Sequence, residues 1–149
     1  MISYLIDINV WLAMTWDQHP QHQQAARWQE SVDRDALLFC RFTMLGFLRL
    51  LTNQSVMGGS TMNIAAAMTL YDQWREDPRV EFTDEPAGTE SMFRRTVARF
   101  ARLPATKAIA DSYLVGFAEA SGAHLVTFDK GLARSARVRH VPATLIASA

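Results

Sequence analysis

Residues 2–14, near the start of the chain, read ISYLIDINVWLAM and set the pattern of strand and helix that the later segments follow. Ile2 to Ile6 form a short apolar run with strand character, and Asn9 to Met14 have the character of a helix. Asp7 stands between the two, where the strand ends. The stretch therefore predicts a strand that passes directly into a helix, with a carboxylate at the junction.

The same order of strand and helix continues along the chain. Further strands are predicted at residues 36–40, 80–82, 124–128 and 138–141, and helices at residues 19–34, 43–52, 62–76, 90–102 and 107–121. Strands that alternate with helices imply a parallel sheet covered on both faces. No linker or repeat interrupts the pattern. The sequence thus predicts an α/β fold with three layers, α/β/α, around a central parallel sheet, as a single domain over residues 1–149.

Composition places the chain among globular proteins, with 49% hydrophobic and 20% charged residues. The single cysteine, Cys40, excludes an internal disulfide and is compatible with a reducing cytosol. The N-terminal apolar run lacks a basic flank and is broken by Asp7, which argues against a signal peptide. The longest uncharged stretch, residues 53–71, is too polar to span a membrane. We therefore expect a cytoplasmic protein without a membrane partner.

The net charge of zero hides an asymmetry between the two parts of the chain. Residues 1–90 carry 6 basic and 12 acidic side chains, whereas residues 91–149 carry 9 basic and 3 acidic ones. The basic residues of the second part form two groups: Arg94, Arg95, Arg99, Arg102 and Lys107, and then Lys130, Arg134, Arg137 and Arg139. Such groups can bind a polyanion, and they are equally compatible with two solvated helix faces.

Three aspartates occupy positions that favour chemistry. Asp7 and Asp129 each follow a predicted strand, and reactive groups in parallel sheets gather at the carboxyl ends of strands. Asp111 heads a helical stripe that continues with Leu114 and Val115, and a carboxylate on such a stripe costs free energy unless a cation, a proton or several donors compensate it. Each aspartate also has a purely structural interpretation, as a helix cap or a turn residue.

Together the three carboxylates suggest a metal site. Clustered carboxylates repel one another, so a hard divalent cation such as Mg²⁺ or Mn²⁺ is their natural partner. Such an ion activates water and stabilises the charge on a reacting phosphodiester. Asn9 offers a neutral oxygen for the same site. His19 and His22 are spaced like ligands, but without a second pair they are not expected to bind metal.

Four segments resemble the PIN-domain family. LIDINVWL (residues 5–12) resembles its opening strand and Asp-x-Asn-Val, ADSYL (residues 110–114) its Asp-bearing helix, and AHLVTFD (residues 123–129) its closing Thr-x-Asp. LGFLRLLTN (residues 45–53) resembles the segment of VapC-type toxins that runs to Arg and then Thr-Asn. The segments follow in the family's order over nearly the whole chain, and Asp111 and Asp129 have its usual separation of 18.

This resemblance implies a metal-dependent ribonuclease that acts as the toxin of a VapBC-type toxin–antitoxin pair. Asp7, Asp111 and Asp129 would bind Mg²⁺ or Mn²⁺ and carry out the hydrolysis of RNA, with Asn9 in support. The expected products are a 5′-phosphate and a 3′-hydroxyl. The family also implies a homodimer and a VapB-like antitoxin whose tail blocks the active-site groove.

Three basic residues are candidates for RNA contacts. Arg49 is expected to contact a phosphate near the metal, although a surface or dimer-interface ion pair would explain it equally well. Lys130 and Arg134 follow Asp129 closely and are expected to line the entrance to the groove. Both lie within the second basic group.

Gly46 departs from the family pattern, because most members carry a glutamate at this position, three residues before the arginine. A branch of VapC-like proteins shares the Gly-Phe-x-Arg version, so the change remains compatible with toxin function while removing one expected carboxylate. Glycine within a helix costs on the order of 1 kcal/mol relative to alanine, which suggests a local constraint. The same helix is predicted to turn Leu45, Leu48 and Leu51 inward, with Thr43 as its cap.

Two alternatives remain open. The first is a degenerate PIN domain that binds RNA or a protein partner with little or no catalysis. The second is another α/β protein with a strand-end aspartate, such as a phosphotransferase or a receiver domain. The second is disfavoured because the chain lacks a second acid at Asn9 and a Lys-Pro after a late strand.

Overall fold

The computed structural model describes residues 1–32 and 34–147, so residues 33, 148 and 149 of the predicted domain lie outside the described part. The strands are β1 (Ser3–Ile6), β2 (Ala36–Phe39), β3 (Val80–Phe82), β4 (His124–Thr127) and β5 (Ala143–Leu145). The helices are α1 (Ile8–Thr15), α2 (His22–Ser31), α3 (Arg41–Leu51), α4 (Gln54–Met57), α5 (Ile64–Glu76), α6 (Thr89–Val97), α7 (Thr106–Ser121) and α8 (Lys130–Val138). Short 3₁₀ turns follow α4 and α6.

The five strands form one parallel sheet in the order β3-β2-β1-β4-β5. The chain moves outward from β1 through β2 to β3, and then returns to the other side of β1 with β4 and β5. The strand order therefore reverses between β1 and β4. In open parallel sheets, the crevice at such a switch point lies at the carboxyl ends of the strands and is the usual place for a ligand.

Helices cover both faces of this sheet. In β1, Tyr4 and Ile6 point into a core built with α1, α2, α3 and α5, whereas Leu5 points into a second core built with α7 and α8. Neighbouring residues of a strand face opposite sides of the sheet, so a buried strand has to be apolar on both. The predicted three-layer α/β/α fold with a central parallel sheet is confirmed.

Helix α6 packs unusually close to α7 at Gly116. A Cβ atom at this position would lie 2.6 Å from the backbone nitrogen of Phe93 and 3.1 Å from the carbonyl oxygen of Thr89. Only glycine allows this approach, since both neighbours are backbone atoms that cannot rotate away. The contact fixes α6 against the helix that carries Asp111.

Two local predictions were wrong. Residues 138–141, predicted as the last strand, form the end of α8 and the turn after it, and β5 starts at Ala143. In α3 the side chain of Leu45 is 50% exposed and that of Leu48 is half-buried, whereas Leu51 is buried as predicted, together with Thr43 and Phe47. The predicted stripe and the buried stripe of α3 both have helical spacing, so the sequence pattern alone does not distinguish them.

Cys40, and not the predicted Thr43, is the N-cap residue of α3. The Thr43 hydroxyl accepts a hydrogen bond from the backbone N–H of Cys40 at 2.9 Å, so Thr43 lies in the first turn, which begins at Arg41. Helix α3 therefore begins earlier than predicted, whereas α2 begins at His22, later than the predicted start at residue 19. Among the described residues, none of the helices has the length and apolar character that a membrane span requires.

Gly116→Ala should destabilise the protein by about 1–3 kcal/mol, because the added methyl group forces the backbones of α6 and α7 apart. Urea unfolding monitored by tryptophan fluorescence measures the loss. Gly59→Ala is the matched control, since no atom lies within 4 Å of a Cβ at that position. Equal stability of the Gly116→Ala protein and the wild type would contradict the close helix contact.

Candidate metal centre

Asp7 lies at the switch point, between the end of β1 and the start of α1. Its Oδ1 accepts a hydrogen bond from the backbone N–H of Ile8 at 2.8 Å, and its Oδ2 accepts one from the Thr127 hydroxyl at 2.7 Å. Its own N–H donates to the carbonyl of Val126 at 2.9 Å. Burial raises the pKa of the Asp7 carboxyl, and the charge of Asp111 raises it further, although these hydrogen bonds and Lys107 work in the opposite direction.

Asp129 lies at the end of the neighbouring strand, β4, and caps α8. Its Oδ1 accepts a hydrogen bond from the backbone N–H of Leu132 at 3.0 Å, and its own N–H donates to the Thr127 hydroxyl at 2.9 Å. Thr127 is fully buried. Its hydroxyl bridges the two aspartates, because it donates to the Asp7 carboxylate and accepts from the backbone N–H of Asp129. The hydroxyl fixes the spacing of both acidic residues across β1 and β4.

Asp111 joins this edge from α7, on the stripe where Leu114 and Val115 are buried. Its side chain is 20% exposed, and burial raises the pKa of its carboxyl while the charge of Lys107 lowers it. The ammonium group of Lys107 lies 3.6 Å from Asp111 Oδ2 and also contacts Asp129 Oδ2. A cation therefore lies between two of the three carboxylates.

The side chains as they stand do not form a finished metal site. Within residues 1–32 and 34–147, no three acidic, histidine or cysteine side chains are arranged to hold one metal ion. The donor set nevertheless fits a hard cation, since it consists of carboxylate oxygens at one edge of the sheet, two of which already contact an ammonium group. Asn9 lies in the first turn of α1 with its side chain exposed, and no hydrogen bond joins it to the three aspartates.

Ile8 explains the glycine at position 46. A Cβ atom at Gly46 would lie 2.1 Å from Ile8 Cδ1 and 2.8 Å from Ile8 Cγ1. The side chain of Ile8 therefore fills the space into which a residue at position 46 would project. The local constraint expected from the sequence is thus the packing of α1 against α3, directly beside Asp7.

One cleft has Ile8, the neighbour of Asp7, in its lining, and a second has Asp111. The cleft on the α3 side has a volume of about 610 Å³ and is lined by Ile8, Gly46, Arg49, Asn53 and Gln54, among others. The cleft on the α7 and α8 side has a volume of about 320 Å³, and its polar lining includes Arg99, Lys107, Asp111, Arg134 and Ser135. The first cleft thus contains one arginine, and the second contains two.

The remaining basic residues are distributed differently. Lys130 is exposed in the first turn of α8, next to Asp129. Arg94 pairs with Glu90 at 3.0 Å and Arg139 with Glu119 at 2.8 Å, so part of the basic excess is engaged in ion pairs.

The sequence analysis did not assign two residues to the site. Thr127 was noted only within the closing motif, and Lys107 only as one of a group of bases. The available signals were a threonine at the end of a buried strand and a lysine four residues before Asp111, a spacing that brings two side chains together on a helix.

Comparison with known proteins adds family relationships to this geometry. The PIN domain family model matches residues 4–138. Ribonuclease VapC41 of Mycobacterium tuberculosis is 35% identical over 130 residues, which cover 84% of this chain and 88% of that protein. Ribonuclease VapC39 of the same species is 31% identical over 143 residues, covering 91% of this chain and 94% of that protein.

A solved structure has the same fold. It is VapBC2 from Rickettsia felis bound to a DNA fragment from their promoter, and the match has a TM-score of 0.68 at 14% identity. The match covers 97% of this chain and 98% of that one, so the whole three-layer arrangement is shared.

Gly46→Ala should destabilise the wild type by about 1 kcal/mol, because the overlap with Ile8 outweighs the better helix propensity of alanine. In an Ile8→Ala background the overlap disappears, and the same substitution should stabilise the protein. A double-mutant cycle from urea unfolding measures this change of sign. If Gly46→Ala stabilised the wild type as well, Ile8 would not be the reason for the glycine.

Proposed function

This chain belongs to the PIN domain family, in its VapC branch, and from that premise we propose that it is the toxin ribonuclease of a VapBC-type toxin–antitoxin pair. Two relatives above 30% identity are named as VapC ribonucleases. The observation that carries the proposal is the proximity of the three carboxylates: the charge of Asp111 acts on Asp7, and the Lys107 ammonium group lies between Asp111 and Asp129.

We assign the metal to these three aspartates, with Asn9 in support, and infer that it is Mg²⁺ or Mn²⁺. Oxygen donors of this kind select hard divalent ions. When bound, such an ion lowers the pKa of a water molecule and stabilises the negative charge that develops on a phosphodiester. Asp129 keeps Oδ1 in the cap of α8 and turns Oδ2 toward the Lys107 ammonium group, so one carboxylate can both cap the helix and bind a cation.

The residues of the chain position the carboxylates and provide an electrostatic field that acts on an approaching phosphate. Thr127 holds Asp7 and Asp129 in register, and burial makes the Asp7 carboxylate costly unless a cation accompanies it. Both aspartates are N-caps, so the N-termini of α1 and α8 lie at the same edge as the carboxylates. The partial positive charge at a helix N-terminus favours an approaching phosphate group.

RNA would reach the metal centre through the two clefts. Arg49 lies in the α3-side cleft, while Arg134 and Arg99 lie in the cleft beside Asp111. Lys130 extends the second group along the first turn of α8. We propose that these side chains contact phosphates on both sides of the bond that is cut, which is hydrolysed to a 5′-phosphate and a 3′-hydroxyl.

The proposed partners follow from the same assignment. We infer a VapB-like antitoxin whose tail blocks the active-site groove, and a homodimer as the toxin's own assembly. A cytoplasmic location is part of the same proposal. A degenerate PIN domain with little catalysis is the second candidate, favoured by Gly46 and by the lack of a ready-made group of three ligands among the described residues.

Purified wild-type protein should cut total RNA in Mn²⁺ and should not cut it in excess EDTA. Asp7→Asn and Asp129→Asn should each lower the rate by on the order of 10²-fold or more, since each removes a charge that the metal requires. Asp72→Asn is the matched control, because Asp72 is exposed on α5 and forms no ion pair in the described part of the chain.

Two results would contradict the assignment of a metal nuclease. One is cleavage at the same rate in EDTA, and the other is an Asp7→Asn protein that cuts as fast as the wild type. Binding of RNA without any cleavage by the folded wild type in Mn²⁺ would instead select the degenerate alternative.

Binding of single-stranded RNA should weaken with salt, because each phosphate contact releases condensed counterions. In the Asp7→Asn background, which leaves the RNA intact, Arg99→Ala and Arg134→Ala should each reduce the slope of log affinity against log salt by about 0.7. Arg34→Ala is the control, since Arg34 is exposed just before β2, at the opposite edge of the sheet. Fluorescence anisotropy measures the slopes, and slopes unchanged by both cleft substitutions would exclude these arginines from the RNA path.

A further inference from the structure

Lys107 is the one cationic side chain that contacts the candidate metal centre in the described part of the chain. It belongs to the first turn of α7, and its ammonium group contacts Asp129 Oδ2 and lies 3.6 Å from Asp111 Oδ2. The two acidic side chains come from different elements, so the lysine joins α7 to the N-terminus of α8. The contact lies where the proposed function places a divalent cation.

The position of this lysine has an electrostatic consequence. Without a cation, Asp7, Asp111 and Asp129 would repel one another at the switch point. An ammonium group between two of them relieves part of that repulsion in the metal-free protein. A divalent ion that uses the same oxygens has to take them from the ammonium group, so the two cations compete.

The Lys107 side chain can also move away from Asp111 and Asp129. Its side chain is 66% exposed, whereas those of Asp111 and Asp129 are 20% and 29% exposed. A flexible four-carbon stem carries the charge, so the ammonium group can move into solvent without a change in α7. The cleft that Lys107 lines with Arg99 and Arg134 lies directly beside it.

We propose that Lys107 is an internal cation that holds Asp111 and Asp129 together in the metal-free protein and is displaced when the divalent metal binds. This inference rests on the proposed function, because it takes the three aspartates as the metal ligands. Lys107 then reduces metal affinity and stabilises the metal-free fold. After displacement its charge is added to the arginine-lined cleft, where a phosphate would lie.

The test uses Lys107→Met, which keeps the length of the stem and removes the charge, in protein stripped with EDTA and then dialysed free of it. Isothermal titration with Mn²⁺ alone should give an affinity about fivefold tighter than that of the wild type, because the competing ion pair is gone. Lys107→Gln, a second variant without the charge, should show the same direction. In thermal unfolding without metal both variants should melt below the wild type, and saturating Mn²⁺ should remove most of the difference.

Lys130→Met is the matched control. It removes the same charge from the residue next to Asp129, but Lys130 forms no ion pair among the described residues. Its Mn²⁺ affinity should stay within about twofold of the wild type.

Three outcomes would overturn the inference. Equal or weaker Mn²⁺ binding by the Lys107 variants would show that the lysine does not compete with the metal. Equal tightening in Lys130→Met would assign the effect to overall charge. If neither the wild type nor the Lys107 variants bind Mn²⁺, the metal assignment of the proposed function fails and the inference fails with it, whereas equal affinities overturn the inference alone.

Discussion

The hydroxyl of Thr127 is the interaction on which the site depends. It is fully buried, donates to Asp7 Oδ2 and accepts from the backbone N–H of Asp129. β1 and β4 are neighbours only because the strand order reverses between them, so this single group joins the two ends that the topology brings together. A buried carboxylate needs such donors, since without them its transfer from water costs several kcal/mol. The rest of the site is arranged around the two aspartates that this hydroxyl places.

The structural role and the proposed chemical role coincide at these aspartates. Asp7 caps α1 and Asp129 caps α8, and each uses one carboxylate oxygen for the helix. The interpretation as a helix cap, which the sequence left open for Asp7, is therefore correct without excluding a metal. Capping also fixes the direction of each carboxylate, because the bonded oxygen cannot leave the helix end without exposing its orphan N–H groups. A ligand held in this way is already oriented before a cation arrives.

Much of this arrangement could be predicted from the sequence, and the rest could not for definable reasons. Apolar runs followed by aspartate predict strand ends, and alternation with helices predicts a parallel sheet, so the shared edge of Asp7 and Asp129 follows from local pattern alone. The packing of Ile8 over Gly46 joins residues 38 positions apart, and no periodicity reports on such a contact. The inward position of Leu45 was wrong because two helical stripes fit α3 equally well, and the last strand was wrong because the end of α8 and the turn after it occupy residues 138–141. The bridge from Lys107 to Asp129 depends on how α7 meets α8, which only tertiary packing decides.

If Asp7, Asp111 and Asp129 form one metal centre from which Lys107 is displaced, a bound ion has to lie among their oxygens. Crystals grown with Mn²⁺ and measured at the manganese absorption edge test it most directly, because the anomalous signal locates the ion independently of the protein atoms. We expect an anomalous peak at the switch point, within bonding distance of oxygens from all three aspartates. The Lys107 ammonium group should then be withdrawn from Asp111 and Asp129. A switch point without a peak, in crystals that bind Mn²⁺ only elsewhere and keep the Lys107 contacts, would contradict it.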